Sequence, residues 1–269
     1  MTFAPHNEKH AIVEAVFGVT FAQQMGPKEF NALDSGQDQF RNRLPGKSRP
    51  QGVQIVIGPT PQLNSPQAIP VSGIMFDEYG RDGKLMWRLR AEENGLFINC
   101  LDYTNWAEVW PKVFTLFQQA TEVAEFGDVP IQGVVLQYVN IFHWRGENND
   151  YDLEQLLTRD SKFVTDAIFG KGPLWHLHQG WFRQYSEPYG QVLERLHLDG
   201  TFDAAASLPT VRIDSYASLS ELEFKALSEV VGGSINSTNH PFDGLHLNIK
   251  EVLMGVLHAN MSKRIGLDA

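Results

Sequence analysis

Two stretches decide the fold: Ile12-Val13-Glu14-Ala15-Val16-Phe17-Gly18-Val19-Thr20-Phe21, and Val134-Val135-Leu136-Gln137-Tyr138-Val139-Asn140-Ile141-Phe142. In the first, Val13, Ala15, Phe17, Val19 and Phe21 recur at a period of two, which predicts a strand with a firm core side. The second is the heart of an expected strand from Ile131 to His143, β-branched and aromatic along its length. It puts Tyr138 and Asn140 on one face.

Working outward from the first strand, Pro27 suits an opening helical position, and Phe30, Leu33 and Phe40 line a helix that Pro45-Gly46 ends. Strands are expected at 52–58, 72–79, 84–91 and 95–101, with a proline-rich loop over 59–70. Asp82-Gly83 and Asn94-Gly95 form hairpin turns, so their strands run antiparallel. A helix over 105–126 carries the stripe Trp106, Val109, Trp110, Val113, Phe114, Phe117 and Ala120. After the second strand come a short helix, Leu153 to Leu157, and strands near 174–186, 191–199 and 208–216. The chain from Leu219 onward reads as helical, interrupted near Gly232-Gly233 and Pro241, and ends in a helix over 243–264.

Written as elements, residues 1–128 form one half, β-α-β-β-β-β-α, and residues 129–269 a second, β-α-β-β-β-α, with an extra helix. The expected fold is therefore α+β. Two half-repeats would make a curved, mostly antiparallel sheet with long helices packed on one face. That order is similar in topology to the saddle of the TATA-binding protein, a likeness that carries no function.

Composition narrows the function classes. Lys and Arg total 22 against 32 Asp and Glu, a net charge of −10, so a nucleic-acid partner is not expected. The single cysteine, Cys100, excludes an internal disulfide framework and a cysteine-cluster zinc site. No apolar run is long enough for a transmembrane helix, and Met1 to Lys9 lacks a signal-peptide pattern, so the expected location is cytoplasmic.

Several residue groups are candidates for chemistry. Gly46-Lys47-Ser48 resembles the end of a phosphate-binding loop, but Arg41 stands where that motif needs glycine. His176 and His178 share a strand face, and His197 lies on a neighbouring strand; together they could ligate a metal. Their expected position on a solvated face argues against metal, and no cofactor is expected. Asp243 and His246 lie one helical turn apart, as an imidazole and its orienting carboxylate would. Capping by Asp243 explains the pair equally well. Tyr138 and Asn140 are candidates for a ligand cavity. Arg88 and Arg90 stand in a local basic run with Arg81 and Lys84, and Arg41, Arg43, Lys47 and Arg49 form another; either could hold an anion.

Four segments resemble a sporadically distributed, functionally uncharacterised prokaryotic family of proteins of about this length. They are Ile12 to Phe21, Trp106-Ala107-Glu108, Gln137-Tyr138-Val139-Asn140, and Phe242-Asp243-Gly244-Leu245-His246 with the later Ile265-Gly266. Thr20 and Gln137 stand where the family carries arginine, so the resemblance implies no shared anion site. It brings no activity, cofactor or catalytic residue. Its scattered distribution implies an accessory role in a defence or toxin-neutralising module.

Taken together, these observations predict a non-catalytic protein that binds a protein partner or a small ligand. The alternatives are a hydrolase, metal-assisted or built on His and Asp, and a nucleic-acid binder using the basic strips.

Overall fold

The computed structural model describes residues 3–49, 51–54, 67–70, 73–126, 129–184, 191–203, 208–220, 227, 230 and 241–267. The chain builds one ten-stranded antiparallel sheet. Its strands are β1 (Phe3–Pro5), β2 (Ile12–Phe21), β3 (Gly46–Ser48), β6 (Gly73–Tyr79), β7 (Leu85–Glu92), β8 (Gly95–Cys100), β9 (Ile131–Trp144), β10 (Trp175–Gln184), β11 (Gln191–Phe202) and β12 (Pro209–Leu219). The short strands β4 (Gln51–Gln54) and β5 (Gln67–Pro70) pair separately. The order across the sheet is β10-β11-β12-β9-β2-β8-β7-β6-β3, with β1 pairing β9.

Alternation along these strands gives the sheet two unlike faces. On the covered face, Ala15, Phe17, Val19 and Phe21 of β2 lie beside Leu96, Ile98 and Cys100 of β8, all buried. Residues Trp106–Val123 form α3, which packs on β8, and Pro241–Val256 form α4, which packs on β9 and β12. Asn105 caps α3 by accepting from the Glu108 amide at 3.1 Å. The Phe17 ring meets Trp106 at 5.8 Å, Trp110 at 6.3 Å and Phe242 at 6.2 Å. A second cluster, with Phe142, Trp144, Leu196, Leu198 and Ile213, fills the far end under α4.

The α+β expectation, with two helix-bearing half-repeats and long helices packed on one face, is corrected: the fold is sheet-dominated and has few helices. Tertiary contacts interrupt the expected helices. The one after β2 divides at Gly36 into α1 (Pro27–Ser35) and α2 (Gln37–Phe40). A Cβ at Gly36 would sit 2.4 Å from the Val123 side chain, so the chain turns where α3 leaves room only for glycine. The helix expected at Leu153 to Leu157 is a single 3-10 turn, Leu153–Gln155, so the second half lacks the helix that would repeat α1. The final helix stops at Val256, because the Thr158 amide donates to the Val256 carbonyl and the His258 amide to that of Leu156. It resumes as α5 (Ala259–Arg264). Strands of 10–14 residues such as β2 and β9 instead absorb the apolar alternation into pairing. The TATA-binding-protein likeness falls with the half-repeats. The strand expected over 52–58 and the helical stretch between Leu219 and Pro241 lie largely outside the described residues.

No described helix is long and apolar enough to cross a membrane. Phe17 is fully buried among three aromatic rings, so Phe17→Ala should lower the free energy of unfolding by about 3–5 kcal/mol. Urea denaturation followed by tryptophan fluorescence checks it.

Candidate functional site

On the covered face, β9 delivers Tyr138 and Asn140 to the line where the two apolar clusters meet. Tyr138 Oη and His246 Nδ1 share a hydrogen bond of 2.9 Å. The Tyr103 hydroxyl joins Tyr138; burial pushes the Tyr103 phenol up to about 12 and holds that of Tyr138 well above its ordinary value. His246 lies flat on Trp106, with ring centroids 4.4 Å apart. Burial among these rings, aided by the Lys250 ammonium, lowers its pKa to about 4, so the imidazole is neutral at pH 7.

Asp243 lies three residues before His246 on α4. Its Oδ1 accepts from Trp106 Nε1 at 2.9 Å, and that indole is the ring stacked on His246. Asp243 thus positions an aromatic plane. Nearby, Asn140 and Ser215 are 1% and 2% exposed, and Asn140 Oδ1 and Ser215 Oγ have no hydrogen-bond partner among the described residues. Cys100 is buried on the same face, and desolvation pushes its thiol up to about 12, which removes it as a nucleophile.

His176, His178 and His197 project from the opposite, open face at the β10 edge. His178 pairs across the strands with His197, and His176 with Asp199. The rings of His178 and His197 stack at 5.1 Å, while His197 Nε2 lies 3.1 Å from Asp199 Oδ1. Among the described residues, no three His, Cys, Asp or Glu side chains converge as metal ligands do.

Arg88 and Arg90 occupy the open face, across the sheet from Tyr138 and Asn140, so the two candidate groups lie on opposite faces. Arg88 donates to both Asp77 oxygens, at 2.7 and 2.9 Å. Arg90 donates to Asn99 and Glu92 and covers the Phe97 ring at 5.1 Å. In the other basic run Lys47 and Arg49 share the Asp34 carboxylate and Arg41 lies near Asp38. Gly46–Ser48 is a strand, which removes the phosphate-loop reading.

The open face also carries a pattern that no single strand reveals. Phe182 pairs with Leu193, Leu193 with Ser218, Ser218 with Val135, Val135 with Gly18, and Gly18 with Phe97. The result is a mainly apolar stripe running across six strands. Gly18 is what lets it close, since a Cβ there would meet the Phe97 ring at 2.7 Å. In the next row Arg195 lies over the Tyr216 ring at 3.8 Å, followed by Gln137 and Val16. Every described α-helix sends its buried residues into the cores of the other face. The period-two signal for these outward residues was present in each strand, but the stripe depends on the strand order.

A separate concave pocket of about 570 Å³ lies between the Asp152–Asp160 segment and α5, with Arg159, His258 and Arg264 in its wall. No protein-family model matches the chain, and no curated protein matches it either.

Two outcomes follow for the predicted site residues. In the folded chain His246 titrates near 4, below its ordinary 6.5, so between those values only the unfolded chain takes up the proton. Stability therefore falls as pH drops through that window, by up to about 3 kcal/mol from this group. Unfolding free energy measured against pH should show a shallower slope in His246→Gln. For His176, His178 and His197, elemental analysis of untagged protein should find far less than one equivalent of zinc, iron or manganese.

Proposed function

We propose that this chain is a non-catalytic binding protein whose open sheet face docks a protein partner. One observation carries the reading: the half-buried stripe through Leu193, Val135 and Phe97 on the face that no described helix covers, bordered by arginines stacked on aromatic rings. An apolar centre with an arginine and tyrosine border is the composition of protein interfaces and of their energetic centres. A broad sheet face suits a protein surface better than a small molecule, which needs a concavity.

The two alternatives are less well supported. Hydrolysis through His246 requires a base near neutral pH, and this imidazole is a neutral hydrogen-bonding partner of Tyr138 with a pKa of about 4. Nucleic-acid binding requires cations free to replace counterions, and Arg88, Arg90, Lys47 and Arg49 already face carboxylates.

The test is affinity capture from the native host with three forms of the chain, each checked for folding by circular dichroism. Arg195→Glu with Tyr216→Ala should weaken the captured partner about 30-fold, the effect of losing one interface hot spot. Leu247→Asp, at a 62% exposed position on α4, should leave it unchanged. The reverse pattern would move the interface to the helical face. Nucleic acid that co-purifies and leaves with rising salt would favour the basic strips instead.

A further inference from the structure

The two edges of the sheet are finished differently. At one end β3 is three residues long and carries Lys47, both of which discourage further pairing. At the other end β10 runs for ten residues, Trp175-His176-Leu177-His178-Gln179-Gly180-Trp181-Phe182-Arg183-Gln184, paired with β11 throughout and without a register shift. No described strand pairs with its outer side. It contains no proline, lysine or carboxylate, and its one charge, Arg183, turns to Glu194 and Glu251 of its own chain. A long edge without proline, lysine, carboxylate or bulge is a template for another strand.

The side chains of β10 point to the same conclusion. Trp175, Leu177 and Trp181 pack on the second core yet remain only half-buried, so that core is left open along this border. Phe182 on the other face is 68% exposed. One more strand alongside β10 would cover both.

We propose that the occupant is a second copy of this chain, with β10 pairing antiparallel to β10 about a two-fold axis at Gln179. The argument for self-pairing is the symmetry of the strand's own sequence. About Gln179, Leu177 faces the partner's Trp181 on the core side, and His176 faces the partner's Phe182 on the open side. His178 faces the partner's Gly180, which leaves room for the imidazole. Shifting the axis to Gly180 would instead set Arg183 against the partner's Leu177. The Gln179 register therefore pairs apolar and aromatic groups across the interface and opposes no like charges. A two-fold contact of this kind closes on itself, so it ends at a dimer and does not grow into a fibre. Pairing along the strand supplies on the order of eight to ten main-chain hydrogen bonds, comparable with a typical protein interface.

The proposal is independent of the partner-docking reading, because its readout is the mass of the purified chain alone. Sedimentation velocity over a range of concentrations should show the native chain in a monomer–dimer equilibrium. His176→Lys with Phe182→Lys opposes two ammonium groups twice across the axis and should raise the dissociation constant about tenfold or more. His176→Lys with Phe182→Glu sets opposite charges face to face in the same register and should restore the dimer. All three forms should give the same circular dichroism, since both positions are exposed. A native chain that stays monomeric at every concentration would overturn the proposal, as would a dimer on which the two double variants act alike.

Discussion

Phe17 of β2 and Leu136 of β9 face each other at the centre of the sheet, where the strands of the first and second parts of the chain meet. That one antiparallel pairing joins distant segments of the sequence, and much of the remaining architecture depends on it. Phe17 also has Ile98 of β8 on its other side and three rings, Trp106, Trp110 and Phe242, above it. The same residue thus fixes where α3 and α4 land. Its pairing with Leu136 also fixes the register of β9, since a slip of one residue would carry every core side chain to the open face.

The register of β9 is what makes the polar line beneath α4. Tyr138 stands opposite Ser215 of β12, and Asn140 opposite Ile213. These groups lie where one apolar cluster gives way to the other. Asn140 Oδ1 and Ser215 Oγ are buried there with no hydrogen-bond partner among the described residues, where an unmet polar atom costs about 1–3 kcal/mol. Tyr138 avoids that cost by meeting His246, and His246 avoids ionisation by lying against Trp106. The cluster is best understood as a device for seating α4 on the sheet. Within it Tyr138, His246, Trp106 and Asp243 are each held by a contact to another of the four.

The strands and their antiparallel sense were legible in the sequence because alternation and Asn-Gly or Asp-Gly turns are local signals. β2 was expected over Ile12 to Phe21 and occupies those residues. The shared face of Tyr138 and Asn140 was legible for the same reason. The helices were less so. Gly36 breaks its helix because Val123 approaches it, and the last helix stops where Leu156 and Val256 exchange backbone bonds with His258 and Thr158. Both breaks are tertiary events that no local pattern encodes. The relation between Arg88 and Arg90 on one strand and Tyr138 and Asn140 on another was not legible, because it depends on the register across β9, β2, β8 and β7, which puts the two pairs on opposite faces. The spacing of Asp243 and His246 could not foresee that Trp106 would bond one and stack on the other.

A chain that commits so much of its length to one sheet has two faces and two edges to cover, and its described helices cover only one face. Along the open face, ion pairs such as Arg88 with Asp77 and Arg212 with Asp214 satisfy the charged rows internally. Such pairs add little to stability at a surface, but they leave no strong local charge to attract polyanions. The net charge of −10 opposes them further. What remains unsatisfied by the chain itself is apolar: the stripe through Phe97, Val135 and Leu193, which reaches the β10 border at Phe182. The driving force available there is the removal of carbon surface from water, which needs area and shape more than charge. A partner that covers the stripe and a second copy that covers the border would act on adjoining strips of one surface, so association at the edge would extend the face offered to the partner.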